Sequence, residues 1–256
     1  MQMRHNTILI TGGASGIGCA LAQAFHALGN QVIIAGRRQA VLNEVTAANP
    51  GMASCVLDVA SASDIGRFAE QVKRDYPALN VVIHNAGVMM AEDVQTDSAA
   101  TAEATIATNL LGPIRLNAAL LPLLIKQPQA VVMTVSSGLA FLPLATTPTY
   151  SATKAAIHSY TQSLRYQLKD TTVQVLELAP PYVQTELMGE RQASDPHAMP
   201  LQDFIAEVMR ILTDQPDATE ILVERVKPLR FAEANGGYDG FFKTFNDGMM
   251  AAGVGK

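Results

Sequence analysis

The stretch "TILITGGASGIG", residues 7–18, holds the transition on which the fold turns. Residues 7–11 form a short run of Thr, Ile and Leu, the composition of a strand covered on both faces. Gly12, Gly16 and Gly18 follow, and a helical pattern begins at residue 17. A tight turn needs glycine's freedom at positive φ, and a backbone that closely approaches a phosphate has no room for a Cβ. The helix after the turn offers free N–H groups and the positive end of its dipole. A glycine trio alone is a weak signal. Between the first strand and first helix of a βαβ unit, it predicts a dinucleotide site built on Gly12, Ser15, Gly16, Ile17 and Gly18.

Working outward, apolar runs recur at 31–35, 53–58, 80–84, 130–135 and 173–179, each nearly unbroken and rich in Val, Ile or Leu. A seventh, "EILVERV" at 220–226, alternates more and reads as a sheet edge. Helix-length segments lie between them, near 17–28, 38–48, 62–75, 98–124, 149–169 and 201–213. This alternation predicts an α/β fold, a doubly wound parallel sheet of about seven strands with helices on both faces. With no linker, repeat or low-complexity tract, residues 1–256 read as a single Rossmann-fold domain. The most loop-like segment, 181–200, follows a strand's C-terminal end, the edge of an open α/β sheet at which ligands bind.

Composition excludes several classes. The 48% hydrophobic and 16% charged content suits a large interior. A net charge of −5 leaves no electrostatic footprint for nucleic acid or acidic lipid. Tryptophan is absent and aromatics make up 5%, so a base-stacking surface is not expected. The longest apolar stretch, "AALLPLLI" at 118–125, is far short of the ~20 residues of a membrane span. The N-terminus shows neither an h-region nor a cleavage site. Two cysteines, Cys19 and Cys55, make neither a disulfide framework nor a metal site; Cys19 could favour a thiolate at a helix start, but both read as inert. A cytoplasmic chain without a metal is expected.

The end of the second strand reads "IIAGRR". In an NAD site an acidic side chain there binds the ribose hydroxyls. Here Gly36 takes that place, and Arg37 and Arg38 follow. With no carboxylate to repel a 2′-phosphate and guanidiniums placed to bind it, the residues predict NADP over NAD.

In "YSATKAA", Tyr150 precedes Lys154 by four residues, one turn along a helix. A free tyrosine, with a pKa near 10, is a poor acid–base group at neutral pH. An adjacent ammonium favours the phenolate, so the spacing predicts a Tyr150 with a lowered pKa, closer to the working range of a general acid–base.

Together these stretches resemble the short-chain dehydrogenase/reductase family over about residues 5–190. "TGGASGIG" is similar to the family's glycine motif, "LDV" places Asp58 and Val59 like its adenine contacts, and "HNAG" supplies Asn85, Ala86 and Gly87, with His84 where the family has asparagine. "TNLLG" carries Asn109, "VSSG" carries Ser137, and "YSATK" carries Tyr150 and Lys154. A closer likeness within the family is to DltE-like oxidoreductases, through "SSGLAFLPL", "HSYTQSLRYQL" and "ELAPPYVQTEL". The resemblance implies a catalytic set of Asn109, Ser137, Tyr150 and Lys154. Ser137 would hold a substrate carbonyl oxygen, and Lys154 would reach the nicotinamide ribose. The Asn109 main-chain carbonyl would hold a water linked to Lys154. Pro180, Val183 and Thr185 would face the nicotinamide, with Thr185 at its carboxamide. Pro181 departs from the family's glycine, and the segment 227–256 lacks the usual glycine-rich ending.

The expected activity is NADP(H)-dependent hydride transfer to or from a small or medium neutral carbonyl or alcohol. The alternative is a dinucleotide-binding sensor or scaffold without turnover. Val88, Met89, Leu139, Phe141, Leu142, Tyr182, Leu187 and Met188 are the expected apolar pocket wall, with His84, Arg191 and His197 as possible polar additions. Apolar faces on the fourth and fifth helices, together with the resemblance, imply a homodimer or homotetramer.

Overall fold

The computed structural model describes residues 1–96 and 99–253; the expected helix start at residue 98 and the last three residues of the C-terminal segment lie outside them. Seven strands form one parallel sheet: β1 (Thr7–Thr11), β2 (Gln31–Gly36), β3 (Ala53–Val56), β4 (Val81–His84), β5 (Ala130–Val135), β6 (Val173–Leu178) and β7 (Glu220–Ile221). Their order is β3-β2-β1-β4-β5-β6-β7. The chain winds from β1 outward to β3 and returns at β4 on the other side of β1, so the topological switch lies between β1 and β4. The helices are α1 (Gly16–Ala27), α2 (Gln39–Ala48), α3 (Ala62–Asp75), α4 (Ala99–Ile106), α5 (Gly112–Leu124), α6 (Pro148–Gln167), α7 (Glu190–Ser194), α8 (Leu201–Asp214), α9 (Lys227–Arg230) and α10 (Tyr238–Ala251).

Successive strand residues face opposite sides, and each side has its own core. Ile8 and Ile10 of β1 pack with Phe25 of α1 and Phe204 of α8; Leu9, between them, belongs to the cluster of Phe68 on α3 and Leu116 and Leu120 on α5. Ile8, Leu9 and Ile10 are fully buried, and each such side chain contributes ~1.5–3 kcal/mol. This two-sided burial is why the strand runs carry no polar alternation.

Three expectations needed correction. The seventh strand, expected over 220–226, is only Glu220–Ile221, although it does lie at the sheet edge. After Ile221 the chain bends into a 3-10 turn, Glu224–Val226, and buries Val223 and Val226 in the core instead of extending the ladder. The fourth helix is interrupted by a π turn, Ala107–Leu111, between α4 and α5. Asn109 sits in that turn, a form of local widening often found at functional sites. The 181–200 segment is not open loop throughout. It contains α7 and folds back on itself through a parallel bridge between Val183 and Met199.

Candidate active site

A crevice of about 520 Å³ opens along the C-terminal ends of the strands. Gly12, Ser15, Gly16 and Ile17 line it after β1, Arg37 and Arg38 after β2, and Asp58 and Val59 after β3. Asn85, Ala86 and Gly87 line it after β4, and Ser137 after β5. Tyr150 and Lys154 enter from α6, and Pro180, Val183 and Thr185 from the segment after β6. Gly18 and Asn109 lie behind this surface.

The glycine turn is tight. Gly12 and Gly16 have φ of +66° and +52°, the left-handed region that favours glycine. A Cβ on Gly18 would stand 2.3 Å from Asn85 Nδ2 and 2.4 Å from the Gly12 carbonyl oxygen, so Gly18 permits helix and turn to pack. Asn85 Nδ2 donates to the carbonyls of Thr11 and Gly12, and the Thr11 hydroxyl accepts the amides of Asn85 and Ala86. The carboxamide of Asn85 is thus engaged in holding the turn.

The cradle suits a dinucleotide. The Ser15 side chain makes no capping bond, and the first turn of α1 carries no acidic residue to neutralise its positive end. A Cβ on Gly16 would reach within 3.5 Å of the Thr185 side chain, filling the gap between glycine turn and substrate segment. Arg37 and Arg38 are exposed, and neither side chain has an ion-pair partner among the described residues. Asp58 Oδ1 accepts the amide of Ala60, which fixes the carboxylate at the crevice rim.

At the other end, Ser137, Tyr150 and Lys154 are all buried, and the Ser137 hydroxyl is near enough to the Tyr150 phenol to influence its titration. Ser137 Oγ also accepts the Leu139 amide, which orients it at the start of the 3-10 turn Gly138–Ala140. Lys154 Nζ donates to the Val135 carbonyl at 2.8 Å and lies 5.4 Å from the Tyr150 ring centroid. Contrary to the expected lowering, burial pushes the Tyr150 phenol up to about 12, with the Ser137 hydrogen bond acting downward. The lysine is itself desolvated, and its pKa is lowered to about 8. Helical spacing brings the two side chains together, but the dry surroundings decide the direction.

The Asn109 side chain makes three hydrogen bonds. Oδ1 accepts the Val88 amide, while Nδ2 donates to the Val88 carbonyl and the Thr153 hydroxyl. This ties the segment after β4 to α6, one residue before Lys154. The sequence offered no sign of Gln192. Buried on α7, it donates to the Val183 carbonyl and Thr185 Oγ1 and accepts the Met188 amide, so it orients Thr185.

Of the expected apolar wall, Val88, Met89 and Leu187 line the crevice. Leu142 is fully buried, Phe141 packs edge-on against His158, and the Tyr182 hydroxyl donates to Asp195. Neither Leu139 nor Met188 is among the lining residues, whereas Met90, Pro181, Glu186 and Gln192 are. His84 is buried against Asn117 at 2.7 Å, and burial lowers its pKa to about 4. Arg191 is engaged with the carbonyls of Ala252 and Gly253, and His197 is exposed. Both cysteine thiols are pushed up by burial, as suits inert residues.

Comparison with known proteins agrees with this geometry. The family model for short chain dehydrogenase matches residues 6–196. The uncharacterized oxidoreductase DltE of Bacillus subtilis is 39% identical over 251 residues, covering 96% of this chain and 98% of that protein. A closed form of serine dehydrogenase complexed with NADP+ superposes with a TM-score of 0.74 at 25% identity, over 80% of this chain and 88% of the other. A short chain dehydrogenase/reductase from Burkholderia phymatum in complex with NAD gives 0.77 at 19% identity, over 92% and 95%. The last likeness concerns the fold alone. A match that runs from before the glycine turn to beyond Thr185, with a relative alike over nearly its whole length, settles descent: the chain belongs to the short-chain dehydrogenase/reductase family of oxidoreductases, with DltE-like members among its relatives.

Proposed function

We propose that the protein is an NADP(H)-dependent oxidoreductase that reduces a small or medium neutral carbonyl compound, or oxidises the matching alcohol, with Tyr150 as general acid–base. One observation carries this reading: Ser137, Tyr150 and Lys154 lie buried together in the same crevice that the glycine turn lines. The nicotinamide, when bound, supplies the hydride chemistry. The glycine turn and the free first turn of α1 would hold the pyrophosphate, Asp58 and Val59 the adenine, and Arg37 and Arg38 the 2′-phosphate. NADP rests on those arginines and on the NADP+ complex among the structural relatives.

At the reacting end, Tyr150 Oη donates its proton to the carbonyl oxygen. A phenol held near 12 keeps that proton across the physiological range, which suits the reductive direction. Ser137 Oγ donates to the same oxygen, where negative charge develops. Lys154 Nζ, anchored on the Val135 carbonyl, presents its remaining hydrogens toward the cofactor side. Asn109 holds the Val88 segment against α6 and so acts as a positioning residue. Thr185, oriented by Gln192, fixes the carboxamide end. Val88, Met89 and Leu187 exclude water, and among the described residues Lys154 is the basic side chain that lines this end, with no second one to anchor an acid or phosphate.

In this reading the whole chain works as one cytoplasmic domain. It assembles as a homodimer through α4–α5 and α6, where Ile106, Leu111 and Tyr166 are exposed. Carbonyl-dependent NADPH oxidation that is lost in Tyr150→Phe is the test.

A further inference from the structure

Val173, Val175 and Glu177 of β6 share the sheet face covered by α6, and the third of them is a glutamate only 1% exposed. A carboxylate in such a place is costly unless it is paired. His158 of α6 meets it, with Nδ1 lying 2.8 and 3.0 Å from its two oxygens. Glu220 of β7 approaches from the neighbouring strand, so that side-chain polar atoms of His158, Glu177 and Glu220 fall within 4.8 Å of one another. A cation joins this cluster, Arg230 of α9. It donates to both oxygens of Glu220, at 2.9 and 3.0 Å, and stacks over the Phe141 ring.

Tyr150, Lys154 and His158 follow one another at four-residue steps along α6, so all three lie on the same helix face. Lys154 is 5% exposed, and its one hydrogen-bond acceptor among the described residues is the neutral Val135 carbonyl. Burial of an ammonium without a direct ion pair is unfavourable. Glu177 is bonded to His158, one turn further along the same face of α6, which brings its carboxylate to the lysine's side of the helix and lets it oppose the effect of burial there. Among the described residues, the charged and titratable groups packed around Glu177 are Lys154, His158 and Arg165 from α6, Glu220 from β7 and Arg230 from α9; Arg165 is spent on the carbonyls of Val175 and Thr219.

We propose that Glu177 is the buried counter-ion of Lys154, steadied by His158, and that Glu220 and Arg230 set how much of its charge the lysine feels. Glu177 and His158 are positioning residues, acting on the site only through Lys154. The C-terminal segment thereby gains a role, since Arg230, which lies in it, occupies Glu220 and leaves Glu177 free to act on Lys154. The relevance to turnover rests on the proposed place of Lys154 beside the cofactor. The electrostatic coupling itself does not.

The test uses the cofactor-free full chain, labelled at lysine 13Cε, with the Lys154 signal identified by its loss in Lys154→Arg. Burial of Lys154 together with the field of Glu177 places its titration near pH 8. In Glu177→Gln the midpoint should fall by about one pH unit, because a favourable charge is lost while burial remains. Should that variant fail to fold, Glu220→Gln at the sheet edge serves: it removes one negative charge and frees Arg230 to pair with Glu177, so the midpoint again falls, by less. Loosened packing would admit water and raise the midpoint instead. An unchanged or raised midpoint in the variant that folds overturns the proposal. NADPH titration of the same samples separates the two readings: if NADPH fails to bind the parent protein, the cofactor reading falls and the lysine result still decides this one.

Discussion

Replacing Arg37 and Arg38 with alanine tests the cofactor choice directly. Both residues follow β2, both are exposed, and neither side chain is tied to a carboxylate among the described residues, so the substitution should leave the fold intact. Both line the crevice, and in the proposed reading their guanidiniums would meet the 2′-phosphate of NADPH, a group that NADH lacks. A charge-assisted hydrogen bond contributes about 1.5–3 kcal/mol, and solvent exposure puts this pair toward the lower end. The double variant should therefore bind NADPH roughly ten- to thirty-fold more weakly, with NADH binding nearly unchanged. Fluorescence titration of both cofactors at ~0.1 M and ~1 M salt is the assay, because the Debye length shrinks from ~10 to ~3 Å over that range. The parent's preference for NADPH should narrow at high salt, and the variant's should be small at both. Equal losses for NADPH and NADH would refute the assignment and place the arginines in folding.

Further outcomes follow from particular contacts. Gly18→Ala puts a methyl group 2.3 Å from Asn85 Nδ2 and 2.4 Å from the Gly12 carbonyl oxygen, so cofactor affinity should fall at least ten-fold along with thermal stability; calorimetry and titration read both. His84 titrates near 4 in the fold against 6.5 when unfolded, so the unfolded chain takes up the proton first as pH drops. Stability present above pH 6.5 should be lost between about 6.5 and 4, by up to ~3 kcal/mol, and His84→Asn should flatten that slope in denaturant melts. Light scattering at micromolar concentration should give about twice the 27.3 kDa chain mass; a mass near the single chain would remove the dimer.

The sheet was legible because parallel strands buried on both faces leave unbroken apolar runs, as in 7–11 and 130–135. The glycine turn was legible because steric demand there leaves glycine as the fitting residue. What escaped had no local spacing to betray it. Residues 158, 177, 220 and 230 form one ionic cluster only after the sheet and its helices assemble. The π turn at Asn109 depends on contacts with Val88 and Thr153, and Gln192 depends on how residues 183–199 fold back. The i, i+4 step from Tyr150 to Lys154 does bring the two side chains together. It carried no information on burial, and burial raised the phenol's pKa.

In the proposed reading this crevice performs chemistry through Tyr150. A panel of neutral aldehydes and ketones, assayed with NADPH for loss of its absorbance, tests it most directly when run beside Tyr150→Phe. The parent should turn over at least one carbonyl compound, and kcat should fall at least a hundred-fold in the variant, in keeping with the ~10²–10⁴ supplied by a positioned acid. NADPH affinity should stay within a few-fold. Turnover that survives Tyr150→Phe unchanged would contradict the assigned acid, and tight NADPH binding with no carbonyl ever reduced would point instead to a sensor that keeps the fold without the reaction.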